Sequence, residues 1–178
     1  ALHIHTSGSM PLSLFGQDKP HAGIIYPFYS FSKAHLIPDF GVVPLFIEAQ
    51  GIDDISAVYS VALMLSSHIY ETSQADRERL HLCGVLVNNF PNALYGLAKT
   101  ILSDTHIPFA ALLPIIDETA QKVHTLSPIQ AQSGPAKRND TQIMAQHLTL
   151  LPNEDHKTLY RLLSKLIQDN DSAALSVN

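Results

Sequence analysis

The sequence predicts an α+β chain in which a strand-rich segment is followed by an all-helical block. Three observations carry this expectation. Residues 1–72 contain four short runs rich in β-branched and aromatic residues. Beyond about Gln74 there is no strand-like run. From there to about Gln168 the apolar residues recur at helical spacing instead. Strands first and helices afterwards imply two units rather than one alternating domain.

Taken in order, Leu2 to Thr6 reads as the first strand. Gly23 to Phe31 (GIIYPFYSF) is the second, with Pro27 confining it to an edge or a break. Val42 to Glu48 (VVPLFIE) is the third and His68 to Glu71 the fourth. Between the last two, Asp53 to Ser66 sets Ile55, Val58, Tyr59, Ala62, Leu63 and Leu65 on a helical face, with Asp53 and Asp54 where a helix start favours negative charge. The order is β-β-β-α-β. Ala75 to about Ser103 follows as one long helix, kinked at Pro91, whose missing N–H removes a ladder hydrogen bond. Pro108 to Val123 is a second helix, bent at Pro114. Thr141 to Leu151, capped by Asp140 and stopped by Pro152, and Asp155 to Gln168 complete the block. The tail DNDSAALSVN is expected to fray. The domain reading is 1–72, then 73–170, then a flexible tail over 171–178.

Composition narrows the classes of function. The 178 residues are 46% hydrophobic, enough for a core, but only 15% are charged, against about a quarter in typical domains. Such low charge fits either a surface covered by another domain or subunit or a merely bland one. A net charge of −5 argues against nucleic acid as partner, and no apolar run is long enough for a bilayer span. The lone Cys83 cannot form an internal disulfide, suits a reducing compartment such as the cytoplasm, and reads as a core residue. The chain opens directly on a strand, and a sheet made only of these strands leaves an unpaired edge, so further residues upstream are expected.

Four groups of residues are candidates for chemistry. His5-Thr6-Ser7-Gly8-Ser9 is a hydroxyl-rich turn at the end of a strand, where α/β sheets place ligands; a plain Ser/Gly turn explains it equally simply. His3 and His5 share a strand face, but no third ligand or metal motif accompanies them, so a metal-dependent hydrolase is an outlying reading. His81, Asn88, Asn92, Tyr95 and Lys99 recur at spacings that place them on one stripe of an otherwise apolar helix, with Asn89 beside them. Polar groups on a buried helix need partners, either across a helix interface or in a ligand cleft. Lys137 and Arg138 lie just before a helix N-terminus, where adjacent bases suit an anion as well as a solvated loop. There is neither a GxGxxG turn nor a Walker A loop.

The succession HTSGS, YPFYSFSK, PLFIEA, RLHLCGVLVNNFPNALY, LLPIIDETAQKV, AQSGPAKRNDTQIMAQHL and LYRLLSKLI resembles the bacterial Rossmann-like proteins with a DUF2520 C-terminal domain. These are commonly labelled NADP oxidoreductases and are similar in layout to pyrroline-5-carboxylate reductase and the 6-phosphogluconate-dehydrogenase-like group. The likeness covers roughly residues 3–168. QSGPAKRND and HxxxxxxNN are its specific stretches, whereas HTSGS alone is not. The resemblance implies that residues 1–72 are the closing strands of a Rossmann-like domain whose glycine-rich half lies upstream of Ala1. It implies that residues 73–170 form an all-α, 6-phosphogluconate-dehydrogenase-C-terminal-like domain that makes a homodimer and one wall of a substrate cleft.

On that layout NADP or NAD is held mainly by the upstream half. His5, Ser7 and Gly8 border the cofactor. His81 and Asn88 stand at the reaction, with His81 as proton donor, because imidazole exchanges protons readily at ordinary pH. Asn89, Asn92, Lys137 and Arg138 meet a small-molecule substrate or anion. The departure is the missing glycine-rich turn, without which these residues alone are not expected to bind the dinucleotide fully or turn over. The other expectation is a non-catalytic nucleotide- or effector-binding and dimerisation module, with the polar stripe as an interface seam.

Overall fold

The structure is a computed structural model that describes residues 1–16, 19–33 and 39–175. It is an α+β arrangement: a mixed four-stranded sheet followed by helices. The strands are β1 (His3–His5), β2 (Ala22–Pro27), β3 (Leu45–Ala49) and β4 (Ile69–Glu71), and they lie side by side in that order. β1 runs parallel to β2, β2 antiparallel to β3, and β3 parallel to β4. The expected β-β-β-α-β succession is therefore present, with the second and third strands shorter than their apolar runs.

Register decides what each face of the sheet carries. Ile4, Gly23, Ile25, Leu45, Ile47 and Ile69 share one face, because side chains alternate along a strand. Helix α1 (Ile52–Leu63) packs there through Val58 and Ala62, making the core with Ile25, Val43, Leu45 and Ile47. Gly23 is needed at this contact, since a Cβ there would lie 2.3 Å from a methyl of Val58. The opposite face carries His5, Ile24, Tyr26, Phe46, Glu48 and Tyr70.

Helix α2 (Gln74–Gly84) starts at Ser73, whose side chain accepts the Asp76 N–H as an N-cap. A π turn (Val85–Asn89) joins it to α3 (Phe90–Leu102). Pro91 was expected to kink one long helix here. Instead the turn widens just ahead of it, with the Phe90 N–H donating to the Val85 carbonyl five residues back. This relieves the clash that a proline ring makes with the carbonyl four residues before it. The run was also expected to be buried. In the described chain Leu82, Leu86, Val87 and Phe90 are exposed, and so is Cys83, which is not a core residue.

Contacts divide the chain into two compact units, residues 1–93 and 94–178. The division falls beyond residue 72 because α2 packs back on the sheet through Arg77. In the second unit a short 3-10 turn (Phe109–Leu112) leads into α4 (Leu113–Lys122). Pro114 lies in the first turn of α4, so it starts the helix rather than bending it. The four-residue α5 (Pro128–Ala131), not foreseen, is set by a capping box between Ser127 and Gln130. Asp140 caps α6 (Thr141–Leu150) as expected. Helix α7 (Glu154–Leu175) continues through residues expected to be a loose tail, of which 176–178 lie outside the described residues. His147 and Tyr160 tie α6 to α7 through a 2.8 Å hydrogen bond.

Candidate functional site

The polar face of the sheet is organised by one fully buried cation. Arg77, one turn into α2, is 0% exposed. Its guanidinium donates to the Gly8 carbonyl at 3.0 Å and to the Glu48 carboxylate at 2.8 Å. Glu48 is itself 18% exposed at the side chain, so this is a largely desolvated ion pair. Such a pair survives burial only because its geometry is good and its hydrogen bonds are charge-assisted. It ties together the turn after β1, the end of β3 and the start of α2.

Tyr26 sits beside this pair. Gly8 is buried, and a Cβ on it would lie 2.6 Å from the Tyr26 ring, so glycine makes room for the aromatic side chain. One helical turn beyond Arg77, His81 brings its Nδ1 to 3.1 Å from the Tyr26 hydroxyl. Burial pushes the Tyr26 phenol above its ordinary pKa, and the nearby Arg77 charge pulls the other way. The phenol therefore keeps its proton at neutral pH.

The Tyr26–His81 pair forms part of the wall of an open cleft of about 380 Å3. Phe28, Tyr29 and Ser30 line it from the β2 side; Gly84, Val85, Val87, Asn88 and Asn89 line it from the helical side. Gly84 allows the close approach, because a Cβ there would lie 2.8 Å from the Phe28 ring. The π turn has a direct consequence for the site. One residue more per turn than an α-helix lets neighbouring Asn88 and Asn89 both reach the cleft. Among the described residues, none in the lining carries a fixed charge.

Residues 43–167 match the family model described as a domain of unknown function, DUF2520. This chain belongs to the DUF2520 family. Among solved structures it is similar to the putative NADP oxidoreductase BF3122 of Bacteroides fragilis, with 40% sequence identity and a TM-score of 0.89. That match covers 95% of this chain and 65% of the other, so the chain spans about two thirds of that protein's length. It also shares its fold with protein TM1727 of Thermotoga maritima, at 23% identity and a TM-score of 0.78, over 98% of this chain and 70% of that one. Comparison with curated proteins finds no match.

In this DUF2520 chain, His81, Asn88 and Asn89 come together at the cleft. Asn92 is exposed and does not line it, because the π turn shifts the stripe expected from regular helical spacing. Tyr95 and Lys99 belong to the second unit. The His5–Gly8 turn uses most of its own polar groups. The Ser7 N–H donates to His5 Nδ1 at 3.2 Å, Ser7 Oγ accepts from the Ser9 and Met10 N–H groups, and the Gly8 carbonyl is held by Arg77. Burial holds the His5 imidazole below its ordinary pKa, partly countered by the Pro11 carbonyl, so the ring is neutral. With Nδ1 accepting, the proton lies on His5 Nε2, the ring N–H left to face the Pro11 carbonyl. In the second unit, Lys137 is 3.9 Å from the Asp171 carboxylate and 3.5 Å from the Ile129 carbonyl, and Arg138 is exposed.

Sequence reasoning missed Tyr26, Glu48 and Arg77. Arg77 lies in the polar stretch QADRERL and reads as a solvated residue. The available signal was its spacing of four from His81, which puts both on one helix face. Among the described residues no group of three or more His, Cys, Asp or Glu is placed to hold a metal, and no helix is long and apolar enough to cross a membrane.

Proposed function

We propose that this chain is the substrate-side part of an NADP-dependent oxidoreductase acting on a small molecule in the cytoplasm. The observation that carries the reading is the cleft where a tyrosine–histidine pair, two amide side chains and aromatic walls converge beside an anchored arginine. The likeness to the BF3122 protein supports it. The chemistry supplied from outside these residues is hydride transfer to or from a nicotinamide, with NADP preferred to NAD on the wording of that relative's name.

The residues present fit only one end of such a cofactor. The Ser7–Gly8 turn is occupied by its own hydrogen bonds and by the Tyr26 ring, and the sequence has no glycine-rich cradle for phosphates. The aromatic rings of Tyr26 and Phe28 and the Asn88 and Asn89 amides suit a planar ring or a small polar substrate. The phosphates are therefore assigned to a dinucleotide-binding half beyond these 178 residues.

The helical unit is read as the homodimer contact. Among its described residues only Ala136 and Ser164 are buried, while Leu113, Ile115, Leu162 and Leu166 lie exposed, which supports burial against a second surface. The exposed Leu82, Leu86, Val87 and Phe90 favour a second reading, a non-catalytic binding and dimerisation module in which the helical run is a seam.

Two measurements on the full-length protein decide between these. Titration with NADPH, followed by cofactor fluorescence, is expected to saturate below millimolar concentration; no binding at millimolar NADPH removes the oxidoreductase reading. Asn88→Leu is expected to leave the dimer intact on size-exclusion chromatography with light scattering while weakening ligand binding. Loss of the dimer in that variant favours the seam.

A further inference from the structure

We infer that Tyr26 is the group that delivers a proton to the substrate, that His81 resupplies it, and that the substrate is an uncharged aldehyde or ketone. The inference rests on the oxidoreductase reading above and deepens it. Histidine is the obvious candidate for proton donor in this cleft, but position favours the phenol. Tyr26 is half-buried on the sheet face at the cleft wall, whereas His81 is exposed and commits Nδ1 to the Tyr26 oxygen. Both groups line the cleft, and the imidazole is the one open to solvent, so it can carry protons from water to the Tyr26 oxygen.

The step balances with hydride from a reduced nicotinamide, which is left oxidised, and one proton from water. When hydride adds to a carbonyl carbon, the C=O π pair moves to oxygen. The Tyr26 O–H bond then breaks as a new O–H bond forms on the substrate. The phenolate left behind takes the proton from His81 Nδ1, and His81 Nε2 takes one from water. Burial disfavours the phenolate that exists between these transfers, and the Arg77 charge offsets part of that cost. Arg77 is held there by Glu48 and the Gly8 carbonyl rather than by solvent. A fixed charge of that kind needs no reorganisation at the moment of reaction.

Two features choose the substrate class. A protonated imine accepts hydride and becomes a neutral amine without receiving a proton on the same atom, so a tyrosine–histidine relay has no task there. A carbonyl oxygen requires one. In addition, among the described residues the cleft lining has no lysine or arginine, and its donors are the neutral amides Asn88 and Asn89 with Ser30 and Tyr26. A carboxylate or phosphate substituent would enter without a countercharge, which is costly. Phe28, Tyr29, Val85 and Val87 offer an apolar substituent a place instead.

The test uses the full-length protein with NADPH and four probes: benzaldehyde, acetophenone, phenylpyruvate and a cyclic imine. Reduction of the two uncharged carbonyls is expected to exceed that of phenylpyruvate. Tyr26→Phe is expected to lower their kcat about 10²–10⁴-fold with little change in KM. His81→Ala is expected to lower kcat by less and to be partly restored by free imidazole, which a purely structural role does not predict. Independently of turnover, histidine NMR of the protein is expected to show one imidazole whose signals change in Tyr26→Phe, and ultraviolet titration to lose one late-ionising phenol. Unchanged histidine signals mean the pair is not formed and overturn the inference. So do an undiminished kcat in Tyr26→Phe, a preference for phenylpyruvate, reduction of the imine alone, or no reduction of any carbonyl. Failure to bind NADPH at all is seen before any variant is made, and it removes the underlying reading rather than this assignment alone.

Discussion

Arg77→Ala is expected to destabilise the fold by about 3–5 kcal/mol, the range for breaking a buried ion pair by removing one partner. Three losses combine. The Glu48 carboxylate remains largely buried with its cation gone, the Gly8 carbonyl loses its donor, and a fully buried side chain leaves a void. Equilibrium urea unfolding should show a lower midpoint with an unchanged slope, since the surface exposed on unfolding is nearly the same. Arg77→Lys should recover only part of the loss, because an ammonium cannot reach the carboxylate and the carbonyl with the same planar fork. Replacing Arg77 and Glu48 together by Met and Leu should cost less than Arg77→Ala alone, as no unpaired charge is then left inside. A cost below about 1 kcal/mol for Arg77→Ala would mean the pair is solvated in the native state.

Gly23→Ala should also be destabilising, by roughly 1–3 kcal/mol, for a steric reason on the other face of the sheet. The added methyl would lie 2.3 Å from Val58 Cγ2 and 3.3 Å from the Glu48 carbonyl. Val58 is fully buried, and as a β-branched helical residue it has one strongly preferred rotamer, so it cannot swing aside cheaply. Helix α1 must lift instead. The double variant Gly23→Ala with Val58→Ala should lose less than the sum of the single variants, because one methyl then occupies space the other vacates. Strict additivity in thermal or urea unfolding would mean that α1 and β2 do not meet through these two residues.

Strands β1 to β4 were legible because β-branched and aromatic residues gather in short runs such as GIIY and LFIE, and helix α1 because the apolar residues of the Asp53–Ser66 segment recur at helical spacing. Their ends were less so. Phe28 to Phe31 is as aromatic as the strand before it, but it leaves the ladder after Pro27. The long helix was foreseen without its π turn, since spacing alone assumes a constant pitch. That assumption put Asn92 on the same stripe as His81 and left Asn89 beside it. His81, Asn88 and Asn89 were found because amides and imidazole stand out against an apolar helix. Tyr26, Glu48 and Arg77 did not stand out, since each has ordinary neighbours in sequence. Their significance comes from strand register and from Gly8, both of which are long-range facts.

The wide turn at Val85–Asn89 also lets the helical run give up a residue at this joint. Deleting any one of its five residues would let the segment close into ordinary α-helix, and each residue of such a helix corresponds to about 100° about its axis. Because the wide turn already holds its extra residue within one turn, Phe90 and Pro91 would keep their facing relative to His81, whereas a deletion in the regular part of α2 would swing them by that angle. A lost residue that a regular helix would turn into rotation is taken up at this joint without it, much as a loop would absorb it.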